Sequence, residues 1–200
     1  MITVKSYKFL TSFSHAFVYS LVAFAFSVSA HSLPGSELVF KDINSKTGIT
    51  LSFPLEEFVI AAPHLKFVEN ASNLGDLTSN EANQLARYFN QHFKVKPVNE
   101  GQKNQFIPPS LHSIEINDRF NEHVGHYRRV EVQFALAPNA LTYNSLFPIA
   151  LHFDAILHEI RSHRVAVFYE DKQSRKIKLV DFVYSEADGK PTVHLLSPDR

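Results

Sequence analysis

The sequence predicts a mainly β protein: an antiparallel, immunoglobulin-like β-sandwich with one inserted α-helix over about residues 78–93. Three observations predict it. Apolar residues alternate at period two through most of the chain, so that side chains two apart share one sheet face. Turn signals rich in Gly, Pro, Asn and Asp separate these runs. A single segment carries strong helical spacing behind a helix-start signature. The alternative is an α+β fold in which that helix packs on an open antiparallel sheet.

Residues 1–30 read as a secretory signal peptide. Lys5 and Lys8 form a positive n-region, residues 16–26 are mostly apolar, and Val28-Ser29-Ala30 places small residues before a cleavage point. A retained anchor fits less well, because Thr11, Ser12, Ser14, His15, Ser20 and Ser27 dilute a run that needs about 20 mostly apolar residues to span a bilayer. Cleavage after Ala30 leaves residues 31–200, the length of a single domain. That product would be periplasmic or secreted from a bacterium. It contains no cysteine, hence no disulfide and no thiolate metal site.

The remaining elements follow in order. Leu38 and Phe40 mark a first strand, and residues 42–48 a turn. Ile49, Leu51, Phe53 and Leu55 alternate in a second strand, which Pro54 either ends or confines to an edge. Residues 55–62 fit a short helix or a bent strand, and 63–77 a loop. Thr78-Ser79-Asn80-Glu81 is a capping box, followed by Ala82, Leu85, Ala86, Phe89 and Phe93 at helical spacing. Residues 97–110 are polar and turn-rich. A short strand over 111–117 and a loop over 118–125 lead to the cleanest alternation, Val130, Val132, Phe134 and Leu136. Pro138-Asn139 marks a turn. Two apolar runs, 149–153 and 165–169, flank a polar corner. A hairpin turn at 172–175, a strand over 177–184, a turn at 187–191 and a last strand over 192–196 complete about eight strands.

Charge and motifs narrow the function. The whole chain holds 20 basic and 20 acidic residues, and removing the two leader lysines leaves 18 against 20. With no basic face, nucleic acid is not an expected partner. There is no tryptophan for carbohydrate stacking, no Gly-x-Ser-x-Gly, no phosphate loop and no dinucleotide fingerprint. The eighteen phenylalanines sit mostly at apolar strand or helix positions and read as core.

The layout resembles the extracytoplasmic N-terminal domain of hydrogenase/urease accessory membrane proteins of the HupE/UreJ type. The matching pieces are Phe53-Pro54-Leu55-Glu56-Glu57, Leu77-Thr78 leading into the helix, the 149–169 strand pair, and the tail Leu196-Ser197-Pro198-Asp199-Arg200. The histidine-bearing membrane helices of that family are absent, so its transport role is not implied. The resemblance implies a free-standing accessory domain, not an enzyme, that binds a protein or a membrane assembly at the cell envelope.

Eleven histidines point to an alternative, a periplasmic Cu(II)- or Zn(II)-binding protein. His31 would be the first residue after cleavage, and its α-amine and imidazole with one further histidine make a three-nitrogen copper site. His152 and Asp154 share a strand face. His158 and His163 bracket the polar corner, and His123-Val124-Gly125-His126 is an H-x-x-H in a loop. His158-Glu159 is not the start of a zinc-protease motif. The next histidine is five residues on, and on a helix five steps leave the two side chains about 140° apart. The metal reading needs these histidine-bearing loops to converge. Otherwise the corner is a polar turn in which Arg161 or Arg164 pairs with Glu159.

Overall fold

The computed structural model describes residues 33–43, 46–98, 105–136 and 146–198, all within one compact unit, Leu33–Arg200. The predicted leader, His31 and the Pro138-Asn139 turn lie outside the described residues.

The fold is mainly β, with two facing sheets. The larger has six strands: β1 (Ser36–Ile43), β2 (Lys46–Pro54), β4 (Ser110–Asn121), β5 (Gly125–Ala135), β7 (Val165–Glu170) and β8 (Lys176–Phe182). Their spatial order is β4-β5-β2-β1-β7-β8. The smaller joins β3 (Phe93–Pro97), β6 (Ile149–Phe153) and β11 (His194–Leu196), with β6 in the centre. A two-stranded ribbon, β9 (Glu186–Ala187) and β10 (Lys190–Pro191), lies between β8 and β11 in the chain. Pairing is antiparallel except between β1 and β7, which run parallel with Ser36 opposite Val165. That pair joins segments more than a hundred residues apart, so no local alternation could announce it.

Among the described residues there are two α-helices. The first, α1 (Leu55–Ala61), starts where Pro54 ends β2. β2 is a central strand, flanked by β5 and β1, and its proline is tolerated because it sits at the strand's last position. Two 3₁₀ turns, Pro63–Asn70 and Leu74–Asp76, occupy the expected loop. The second helix, α2 (Ser79–His92), begins at the capping box. Glu81 N–H donates to Thr78 Oγ1 at 3.3 Å, and Thr78 N–H donates to Glu81 Oε2 at 2.8 Å. Leu85, Tyr88 and Phe89 are its buried face. The expected face differed: Ala82 and Ala86 are only half-buried, Tyr88 is buried, and Phe93 is buried as the first residue of β3. A helix that must also cover an aromatic layer turns its largest side chains inward.

That layer fills the space between the sheets. Phe134 of β5 meets Phe89 of α2 at 5.1 Å and Phe93 of β3 at 5.4 Å, both edge-on. Phe93 in turn meets Phe153 of β6 at 5.5 Å. Phe58 of α1 stacks on Phe89 at 6.1 Å and packs against Phe53 of β2 at 5.0 Å. Edge-on and offset ring contacts add about 0.5–1.5 kcal/mol each beyond area burial. Val130 and Val132 are fully buried on the same strand as Phe134.

The β4–β5 hairpin runs beyond the rest of the large sheet. β2 supports β5 only as far as the Pro54–Arg129 pair, yet β4 and β5 continue pairing to Asn121–Gly125. The predicted loop over 118–125 is therefore largely a two-stranded arm. On its outer side, β4 is bridged at Glu115 by Asn73, and Ile116 N–H donates to Ser72 O at 2.9 Å.

Truncating the residue that joins both sheets should be costly. Phe134→Ala is expected to lose about 3–5 kcal/mol in urea unfolding. Phe120→Ala, at a 64 % exposed position, should stay within about 0.5 kcal/mol. Equal losses for the two would contradict this core.

Candidate functional site

The polar residues of the 149–165 segment separate into two groups at the margins of the apolar layer. The first is centred on Asp154, just past the end of β6. His152, two residues back on the same face, brings Nε2 to 3.6 Å from Asp154 Oδ1. His92, the last residue of α2, donates from Nδ1 to the same Oδ1 at 2.8 Å. Asp154 N–H donates in return to the His92 carbonyl at 3.0 Å. The helix end and the strand end are thus clasped at two points. His158 donates from Nδ1 to the Asp154 carbonyl at 3.0 Å and stacks on His92 at 4.3 Å with planes 18° apart. Tyr88 completes the group, with its ring 4.6 Å from His92.

Backbone strain accompanies this group. Ile156 has φ +66°, in the left-handed region that a β-branched residue rarely adopts. Such a conformation costs on the order of 1–3 kcal/mol and persists where its surroundings hold it. Ile156 is 1 % exposed, its N–H donates to the Tyr88 hydroxyl at 3.0 Å, and its carbonyl accepts from Ile160 N–H at 2.9 Å. Burial pushes the Tyr88 phenol well above its ordinary value, so it remains a neutral hydroxyl.

The electrostatics follow from position. Burial alone would raise Asp154, but the His92 hydrogen bond and the nearby imidazoles outweigh it and hold the carboxyl below its usual range. Burial also lowers His152, more than the Asp154 charge raises it. On the inner side of the small sheet, burial likewise lowers His194, which stacks on Phe182 at 3.8 Å.

The second group contains His163, which the chain carries away from Asp154. Its ring lies between β1 and α1. Nδ1 faces Glu57 Oε2, and Nε2 lies 2.7 Å from Ser36 Oγ and 3.1 Å from Ser36 N. A carboxylate can only accept, so Nδ1 carries the proton and Nε2 accepts from Ser36. The Ser36 amide is shared with Arg164 O at 2.8 Å. Gly35 passes so close to that carbonyl that a Cβ would sit 2.3 Å from it, which requires glycine here. Arg129 braces the same turn, donating to Ser52 Oγ at 2.8 Å and to Gly35 O at 3.4 Å.

Ser36, His163 and Glu57 have the connectivity of a charge-relay triad. Their setting does not suit nucleophilic attack. Ser36 is 2 % exposed, the His163 side chain 1 %, and the Nε2 lone pair already takes the Ser36 amide as well as the hydroxyl. The arrangement fastens the first residue of β1 to α1 and to the start of β7.

The remaining histidines are elsewhere. His123 and His126 lie at the turn of the β4–β5 arm, where His126 packs 5.1 Å from Phe120. The convergence of His123, His126, His152, His158 and His163 that the metal reading requires is therefore not seen. Among the described candidates, His152 and His158 meet at Asp154, with His92 as the partner sequence reasoning missed. Rings stacked at 18° cannot both aim their in-plane lone pairs at one ion. Among the described residues, no group of three or more His, Asp or Glu is arranged to hold a metal. The corner's arginines also pair differently from expectation: Arg161 with Glu186 at 3.6 Å, and Arg164 with Asp181 at 3.5 Å.

Tyr88, His92 and Ser36 carried no motif, and Glu57 entered only as part of the Phe53–Glu57 piece. The available signal was an apolar helix face ending in a histidine, and a lone serine and glutamate at strand and helix starts. The fold is that of a mainly β domain in which the polar side chains of these two groups satisfy one another. No protein-family model matches the chain, and a search of curated proteins finds no match.

Two consequences can be measured. A depressed histidine disfavours the protonated folded state, so the unfolded chain takes its proton first. Stability should therefore fall as pH drops below about 6.5, the ordinary imidazole value, until the lower folded values of His152 and His194 are passed. Asp154 acts at lower pH. Its contribution is complete above the ordinary carboxylate value and is lost as pH falls through its depressed folded one. Urea midpoints between pH 7 and pH 5 should decline, and His152→Gln should flatten the decline; an unchanged slope in that variant would refute the assignment. Separately, His163→Ala should cost about 3 kcal/mol by leaving Ser36 and Glu57 buried without their partner, and Ser36→Ala only about 1 kcal/mol. A His163→Ala loss no larger than that of Ser36→Ala, read from urea unfolding, would remove the fastening role.

Proposed function

We propose that this chain is an exported, non-enzymatic accessory domain that binds a protein or membrane-assembly partner at the cell envelope through its β4–β5 arm. One observation carries the reading: the arm extends beyond β2 as an isolated ribbon and exposes Phe120 at 64 %. A two-stranded ribbon is marginally stable alone in water, and open strand edges are templates for pairing with another chain. The arm has both features and a large aromatic side chain near its tip. Its base is firm: Arg128 N–H donates to Glu56 Oε1 at 3.1 Å, and Arg128 Nη1 donates to Glu69 O at 2.8 Å. A ribbon rooted in α1 and the 3₁₀ segment presents its tip in a fixed direction.

The leader-like first 30 residues and the resemblance to an extracytoplasmic accessory domain support the location. Among the described residues no helix is long and apolar enough to cross a membrane, so a described helix would not anchor it. The internal satisfaction of the Asp154 and His163 groups leaves the arm as the better candidate for recognition.

The test is site-specific photocrosslinking in living bacteria. A crosslinker at position 120 should give a discrete adduct that disappears when His126 and Arg119 on the arm are replaced by Asp. The same crosslinker at Ile60, 67 % exposed on α1, should give none. An identical adduct from both positions, or none from 120, would defeat the proposal.

A further inference from the structure

A cleft of about 390 Å³ opens beside the β7–β8 hairpin, away from both histidine groups. Its walls are Phe147, Tyr169 and Ile177, all half-buried. Phe147 and Tyr169 meet edge-on at 5.7 Å, and both rings pack on the core behind them. Phe147 also contacts the buried Phe40 at 6.0 Å. The walls are thus aromatic surfaces fixed from behind and open in front. The volume falls within the range of about 300–1,000 Å³ that small-molecule sites occupy.

The rim is the hairpin turn, and its aspartate and arginine are already paired with each other. Asp171 accepts from Gln173 N–H and Arg175 N–H, both at 2.9 Å, and from Arg175 Nε at 2.7 Å. The Arg175 amide, foremost among these donors, holds the Asp171 carboxyl below its usual range. Asp171 N–H donates to Arg175 O at 3.0 Å, and Ser174 N–H to Asp171 O at 2.9 Å, which closes the turn. Ser174 takes φ +58° to make that closure. Asp171 and Arg175 therefore cancel each other's charge. Lys172 remains: it lines the cleft, is exposed, and has no ion-pair partner among the described residues. Among the described residues lining the cleft, the rim thus carries one positive charge without an ion-pair partner, above an aromatic floor.

We propose that this cleft binds a small aromatic carboxylate, with the ring seated against Phe147 and Tyr169 and the carboxylate at the Lys172 ammonium. The pattern asks for both parts at once. A ring alone would leave the ammonium without a partner, and an anion alone would leave the aromatic walls wet. Few convergent polar groups over an apolar floor is the usual composition of such sites.

Amide NMR on the full-length chain tests this, with 3-phenylpropionate as the probe and 3-phenylpropanamide as its uncharged match. Saturable shifts are expected at Tyr169, Lys172 and Ile177, with Kd on the order of 1 mM. The amide should bind at least about tenfold more weakly, a difference of about 1.4 kcal/mol. Lys172→Gln, at an exposed position, should keep the free protein's spectrum and lose the preference for the acid. Ile177→Glu should weaken the acid further by placing a carboxylate in the wall. No saturable shift at these residues, equal binding of acid and amide, or a preference that survives Lys172→Gln would each overturn the assignment.

Discussion

The aromatic layer between the two sheets decides where everything else can go. Phe134 stands at its centre and is touched by a helix from one side and by a strand of the opposite sheet from the other. Closing that layer excludes water from the middle of the domain, and among the described residues no acidic, basic or imidazole side chain is buried within it. Charged and imidazole groups are displaced to its rim, where partial burial makes each one depend on a partner.

The two histidine groups are consequences of that displacement. Asp154 sits where β6 ends and α2 ends beside it, so its carboxylate meets an imidazole from each element. The clasp fixes the helix against the small sheet while the strained Ile156 turn folds beneath Tyr88. His163 does the corresponding work at the other sheet, where a parallel strand pair needs both of its chain starts held together. Each group looks reactive when its residue types are written down. Its bonds, traced atom by atom, run inward to other protein groups.

The regions that remain open lie at the two outer parts of the large sheet. At one edge the β4–β5 arm outruns its supporting strand. Toward the other, the β7–β8 hairpin stands over the Phe147 and Tyr169 rings. Both are hairpins, and both carry aromatic side chains that the core does not fully cover. Edges and hairpin ends are where strand-based domains commonly place binding surfaces.

Sequence alone determined the local grammar: alternation along β1, β2, β5 and β7, the Thr78–Glu81 capping box, and the shared face of His152 and Asp154. These rest on neighbours within a few residues, and their physics is written in spacing. Whether Pro54 ended β2 or marked it as an edge strand was settled only by its central place in the sheet. The buried face of α2, the arm in place of a loop over 118–125, and β3 after the helix were settled by packing against distant chain. So were the parallel β1–β7 pair, the arrival of His92 at Asp154, and the departure of His163 to Ser36 and Glu57. Side chains 60 to 130 residues apart have no periodicity in common; only closing the apolar layer brings them within hydrogen-bonding distance, and so only the tertiary structure could decide them.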